Sequence, residues 1–356
     1  MKHSCFLATS IMLVVLMIGC ADNGVQPIDI PDSYDSTGYT NAVAAEIVLI
    51  KQHQDFVNLL KTGRTSGTSV DYATAFTAMQ AHLTEANDSL KAIFPAYLQE
   101  LTKASGKSYD PYSANQTQGG TYGGYLFDEN GLEIEQILDK ASFFGLFYHK
   151  ASRMSVTSES THKLIALFGA TPRFSNSDRT TNFPDILSAS YAARRDKNDG
   201  NGLYTAFKKN VIAMQAHQKA GSEYTNETLY DRKSVLITWE KAILSTVVNY
   251  CFSAHAKFTM TNPQANDNGA GLHAVGESIG FLGGLKGIPE KKITNAQVDE
   301  LLSLLKSNKP AVFVTDAFTN APALLQVVSR IKTIYGFTDQ EIEDFKVNWV
   351  TTQNRQ

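Results

Sequence analysis

The sequence predicts an all-α fold made of packed helical bundles. Apolar residues recur at helical spacing through most of the chain from residue 42 onward, as in Val43, Ile47 and Ile50. Alternation of apolar and polar residues, the pattern of a strand, is rare. Residues 131–154 are apolar nearly all round after Ala141, which predicts a helix buried centrally. Helices of this kind bury their apolar faces against one another, so bundles are the expected architecture.

The first predicted helices span 42–60, 70–83 and 88–101. Asp88 is suited to cap the third, and Pro95 is expected to kink or restart it. Residues 106–130 form a long loop rich in glycine and tyrosine, a length typical of functional or mobile loops. Its tyrosines either cover a helix face or line a binding surface.

Helices are expected next at 131–154 and 161–168, followed by irregular segments through 171–182. Residues 203–218 and 225–258 are helical by periodicity, and 261–270 is a polar loop. The last helices are predicted at 272–285, 295–305, 317–335 and 338–349. Thr338 or Asp339 caps the final one, with Glu341 beside the positive end of its dipole.

Residues 1–19 have the pattern of a bacterial lipoprotein signal. Lys2 supplies positive charge, residues 6–18 form an apolar run, and Gly19 precedes Cys20. The run is too short to span a bilayer comfortably. We expect cleavage before Cys20, lipidation of its thiol, and a membrane-anchored location in the cell envelope, at the outer membrane and facing the periplasm or the surface. An uncleaved anchor, or secretory cleavage near Gly19 or Ala21, are the alternatives.

The remaining chain is expected to comprise a flexible tether at 20–37 and an all-α domain at 38–351, with bundle halves near 38–200 and 201–351. Loss of Lys2 with the signal takes the formal charge from −3 to −4. No basic cluster stands out, so nucleic acid is not an expected partner. Cys5 leaves with the signal and Cys20 carries lipid, which excludes an intramolecular disulfide for Cys251. The apolar run around Cys251 indicates core packing.

The best candidate for chemistry is the pair His273 and Glu277. Four residues apart on a helix, they share one face, where an imidazole and a carboxylate chelate a metal ion or transfer a proton. Two ligands are too few for a tight metal site, so further ligands would come from facing helices. In the alternative interpretation, Glu277 satisfies a buried histidine by hydrogen bonding.

Glycines follow this pair, each disfavouring a helix by roughly 1 kcal/mol relative to alanine. Gly276, Gly280, Gly283 and Gly284 are interpreted as a flat surface for close helix packing, or else as backbone exposed to a ligand.

Three further carboxylates are secondary candidates. Glu133 and Glu135 open the 131–154 helix, where they stabilise its positive end. Glu240 follows Trp239 inside an apolar stretch, and burial would require partners for it. No fingerprint of a serine hydrolase, zinc peptidase, nucleotide-binding loop or dinucleotide fold is present.

Three stretches together resemble a family of bacterial helical lipoproteins, the domain of unknown function 4856. They are residues 131–140 with Phe147-Tyr148, residues 239–241, and residues 272–281, and the resemblance covers about 31–350. That family is similar to imelysin-like proteins, which have two helical bundles and a Gly-x-His-x-x-Glu motif. Imelysin-like proteins were proposed to be metallopeptidases and are linked to iron uptake.

The chain departs from the imelysin motif because the glutamate after Gly271 and His273 comes one residue late, at Glu277. Near 161–165, where the resembled family has paired histidines and an acid, only His162 is present. We therefore expect a non-enzymatic binding protein for a small ligand or an envelope protein, connected with iron or haem acquisition. The alternative is an imelysin-like metal-dependent peptidase that uses His273 and Glu277.

Overall fold

A computed structural model describes residues 25–113, 117–177 and 183–355, and it confirms the all-α fold. The helices before residue 200 are α1 (Tyr39–Ala42), α2 (Ala44–Lys61), α3 (Tyr72–Leu83), α4 (Asp88–Ala104), α5 (Ile134–Ser142), α6 (His149–Arg153), α7 (Ser160–Phe168) and α8 (Leu187–Arg195). The later helices are α9 (Leu203–Ala220), α10 (Thr225–Phe258), α11 (Ala265–Gly284), α12 (Asn295–Leu304), α13 (Val312–Thr315), α14 (Ala317–Asn320), α15 (Pro322–Tyr335), α16 (Asp339–Phe345) and α17 (Trp349–Thr352). Short 3₁₀ turns cover Thr62–Arg64 and Ser222–Tyr224.

Helix α5 lies at the centre, as its composition predicts. All of its residues are buried, and it continues through a π-helical segment, Phe143–Tyr148, into α6. The long helix α10 packs against α9, α11, α8 and α15, with Trp239 fully buried. One hydrophobic core extends through residues on both sides of position 200, so the two expected halves share it.

The close approach of α11 to α5 depends on three glycines spaced by four residues. A methyl group at Gly276 would lie 3.2 Å from Glu133 Cβ, and one at Gly280 would lie 2.8 Å from the carbonyl oxygen of Gln136. At Gly284 it would lie 2.4 Å from the carbonyl oxygen of Ala141. Residues spaced by four form one line along a helix, so no side chain separates the two backbones there.

Gly283 does not belong to this packing surface, contrary to the sequence interpretation. A methyl group at this position would meet no atom within 4 Å. The reason is angular: one residue before Gly284 is about 100° away around a helix with 3.6 residues per turn, so Gly283 faces away from α5.

Several predicted boundaries were wrong. Helix α11 begins at Ala265, inside the expected 261–270 loop, because Gln264 and Asp267 form a capping box there. Helix α4 continues through Pro95 without a restart, whereas the predicted 317–335 helix is interrupted before Pro322. Helix α8 was not predicted, since its buried positions are largely alanine and serine and give no strong apolar period.

The expected 106–130 loop contains a two-stranded antiparallel hairpin, β1 (Gly120–Tyr122) and β2 (Tyr125–Phe127). Gly123 and Gly124 both have positive φ, as tight two-residue hairpin turns require. A methyl group at Gly123 would lie 2.2 Å from the carbonyl oxygen of Ala265. The hairpin therefore rests on the start of α11.

The described part of the expected tether, residues 25–37, is held on the domain rather than free. The ring of Tyr34 is buried, and its hydroxyl contacts Thr161 Oγ1 at 3.0 Å and His162 Nδ1 at 2.5 Å. Asp35 N–H donates to Gln215 at 2.9 Å. Cys20 and the predicted signal lie outside the described residues. Among the residues that are described, no helix has both the length and the apolar content needed to cross a membrane.

The α5–α11 contact can be tested with two neighbouring glycines. Gly284→Ala should lower the free energy of unfolding by about 1–3 kcal/mol, since its methyl group overlaps the backbone of α5. Gly283→Ala should raise it by up to about 1 kcal/mol, because it removes glycine's helix penalty in open space. Urea denaturation of both variants measures the difference, and equal effects would contradict the assigned packing.

Candidate functional site

The candidate residues His273, Glu277, Glu133 and Glu135 come together where α11 crosses α5, and we call the surrounding ionisable side chains the buried charge network. Its other members are residues that were not candidates from the sequence. They are Arg64 from the 3₁₀ turn after α2, His53 from α2, and Asp139 and Lys140 from α5.

His273 is bound to the carboxylate of Glu133, the residue just before α5. Its Nδ1–H donates to Glu133 Oε2 at 2.6 Å, and the other oxygen of Glu133 accepts from Arg64 Nη2 at 2.8 Å. Arg64 Nη2 also lies 2.5 Å from Glu135 Oε2. The ring of Tyr125, on the hairpin, stacks on His273 with centroids 4.5 Å apart and lies under the Arg64 guanidinium. One face of the imidazole is thereby covered.

Glu277 is bound mainly to a cation rather than to His273. Lys140 Nζ lies 3.1 Å from Glu277 Oε1, while His273 Nε2 is 3.9 Å from the same oxygen. The Tyr191 hydroxyl donates to it at 3.3 Å. Lys140 Nζ also donates to Asp139 at 2.6 Å, and Asp139 accepts from His53 Nε2 at 3.0 Å.

These pairings determine which groups are charged. Burial alone would lower the pKa of His273, but the Glu133 carboxylate outweighs it and the pKa is raised. Burial would likewise raise the pKa of Glu277, but Lys140 and His273 hold it below its ordinary value. Burial and the like charge of Glu133 raise the pKa of Glu135, and Arg64 opposes part of this rise. Lys140 stays cationic, because Asp139 and Glu277 raise its pKa against the effect of burial.

Glu240 lies apart from the network. Its two oxygens accept the backbone N–H of Lys292, each at 3.1 Å, and Oε1 also accepts from the Tyr335 hydroxyl. These hydrogen bonds supply the partners that a buried Glu240 was expected to need.

The donor set does not fit a metal ion. Zinc sites take at least three protein ligands, and the described residues contain no group of three or more histidine, cysteine or acidic side chains placed to hold one. Glu133 and Glu277 already face Arg64 and Lys140, and a cation would have to displace these charges. The thiol of Cys251 is buried in the core, where burial raises its pKa.

A groove of about 720 Å³ opens beside the network, and we call it the α2–α8 groove. His53, Asp139, Lys140 and Tyr191 line its floor, so the buried ion pairs are reached from this side. Its rim carries three cations, Lys51, Lys61 and Arg194. Lys51 is paired with Asp55 at 2.7 Å, and the Arg194 guanidinium lies over the Tyr191 ring.

Sequence reasoning missed Arg64 and His53 because neither has a local signal. Asp139 and Lys140 did carry one, since adjacent opposite charges inside a helix predicted to be fully buried require partners. Comparison of the chain with protein-family models, curated proteins and solved structures finds no match in any of the three.

Removing Lys140 should be costly. Lys140→Met leaves Asp139 and Glu277 buried without their cation, and we expect the free energy of unfolding to fall by about 3–5 kcal/mol. The matched control is Lys103→Met, which breaks the exposed pair with Glu100 and should leave stability nearly unchanged. Denaturant titrations that show a similar small effect for both would contradict a supporting role for Lys140.

Proposed function

We propose that this chain is a binding protein of the cell envelope, anchored by lipid on Cys20, whose α2–α8 groove receives a small anionic ligand. The observation that supports binding best is a groove of about 720 Å³ whose floor is a preformed ion-pair network. This volume lies within the range of about 300–1,000 Å³ usual for ligand sites.

The charges of the groove favour an anion. Lys61 is exposed on the rim and forms no ion pair with the residues that the structure describes. At the floor, Lys140 and Tyr191 are already bound to Asp139 and Glu277, so the available positive charge lies at the rim. A ligand carboxylate at the rim would meet the Lys61 ammonium, and charge-assisted hydrogen bonds are about twice as strong as neutral ones.

The resemblance to imelysin-like proteins suggests iron or haem acquisition as the setting. We therefore propose a ferric polycarboxylate or haem, which also carries carboxylates, as the ligand class. A peptidase is the weaker proposal, because His273 and Glu277 are bound to Glu133 and Lys140 and no third metal ligand joins them among the described residues.

The groove is tested by calorimetric titration with ferric citrate and with haemin. Lys61→Glu should weaken binding about fivefold, the upper range for one exposed charge. Lys309→Glu, an exposed lysine outside the groove, is the control and should bind as the unmodified chain does. The proposed site would be contradicted if neither ferric citrate nor haemin binds, or if the two variants change binding equally.

The anchor is tested by feeding cells labelled palmitate. The chain should incorporate label, Cys20→Ala should lose it, and Cys251→Ala should retain it, because that thiol is buried. Label in the Cys20→Ala chain, or none in the unmodified chain, would contradict lipidation at Cys20.

A further inference from the structure

A second groove lies between the first half of α10 and residues 290–292, and we call it the α10 groove. Its volume is about 680 Å³. Its apolar floor is formed by Leu229, Leu236, Ile237 and the ring of Tyr148. Leu229 is 48% exposed, so this apolar surface reaches solvent.

The rim of the α10 groove is cationic. Arg232, Lys233, Lys291 and Lys292 line it. Of these, Lys233, Lys291 and Lys292 form no ion pair with any described residue, whereas Arg232 lies 3.5 Å from Glu290. Glu240 and Glu290 also line the groove, so four cations face two carboxylates and the groove joins an apolar floor to an excess of positive charge.

Glu240 holds the backbone of this rim in place. Its carboxylate accepts the backbone N–H of Lys292 twice at 3.1 Å and that of Ile293 at 3.4 Å. The Tyr335 hydroxyl also donates to this carboxylate, whose charge still acts on Lys291. The backbone that carries Lys291 and Lys292 is held against α10 by these bonds.

The groove is elongated. Past Leu229 and Arg232 it continues into a depression of about 370 Å³ that Met154, Val156 and Pro289 also line. An extended apolar chain fits such a shape better than a compact ion does.

We propose that the α10 groove binds an anionic amphiphile, with its acyl chain on the apolar floor and its carboxylate or phosphate against the rim lysines. An acidic peptide fits less well, because its backbone N–H and C=O groups would lie on Leu229, Leu236 and Ile237 without hydrogen-bond partners. Binding of an amphiphile in the α10 groove does not depend on ligand binding in the α2–α8 groove.

The position of the groove agrees with a lipid source. The Tyr224 hydroxyl, next to the start of α10, donates to the backbone oxygen of Gln26 at 2.9 Å. Six residues span at most about 20 Å, so a lipid on Cys20 would keep the start of α10 near the membrane. This one point rests on the proposed lipidation, while the groove's charge and shape do not.

The test uses the chain from Ala21, which keeps every residue of the core, and dodecanoate and dodecyl phosphate below their micelle concentrations. Both should bind, and each CH₂ from octanoate to dodecanoate should tighten binding about fourfold. Inorganic phosphate and the neutral dodecyl maltoside should each bind at least about tenfold more weakly. Phosphate lacks the apolar chain, and dodecyl maltoside lacks the negative charge.

Two variant pairs localise the site. Lys291→Glu with Lys292→Glu should weaken dodecanoate binding about tenfold or more, and Lys306→Glu with Lys309→Glu should not. Leu229→Asp should weaken it similarly, while Leu325→Asp, at another exposed leucine, is the matched control. Thermal unfolding of each free variant confirms that it is folded.

Several outcomes would overturn the proposal. They are binding of inorganic phosphate as tight as that of dodecyl phosphate, unchanged binding in both groove variants, and tighter binding of an oligoglutamate peptide than of dodecanoate. Loss of palmitate labelling at Cys20 would leave these titrations unaffected, so failure of the anchor and failure of this site are distinguishable.

Discussion

The structure depends on one buried cation, Lys140, held between Asp139 and Glu277. Removing an ion from water costs several kcal/mol, and only close opposite charges offset this cost. Asp139 is on the same helix as Lys140, but Glu277 comes from α11, so these two helices must meet at this level. The position of α2 follows as well, because its His53 binds the second oxygen of Asp139.

The glycines of α11 make that meeting possible. Gly276, Gly280 and Gly284 bring the two backbones close enough for Lys140 Nζ to reach Glu277 and for His273 to reach Glu133. Their cost in helix propensity is offset by the packing and by the ion pairs that the short separation permits. Packing and electrostatics at this crossing therefore cannot be altered separately.

The molecule has two grooves of different character. The α2–α8 groove has a polar floor made of network side chains, and it is the site proposed for a small anion. The α10 groove has an apolar floor and takes its charge from lysines positioned by Glu240. The two buried carboxylates thus have different roles. Glu277 neutralises a cation inside the fold, and Glu240 holds the backbone of a segment that carries lysines at the surface.

The sequence by itself determined the helical class, the central burial of α5, and the common face of His273 and Glu277, since these follow from spacing along a single helix. It also indicated that Glu240 would need partners. Only the tertiary structure decided that His273 binds Glu133, that Lys140 neutralises Glu277, and that Gly284 rather than Gly283 faces α5. Spacing determines the face on which a residue lies, but the partner across that face comes from a distant part of the chain and depends on how the helices pack.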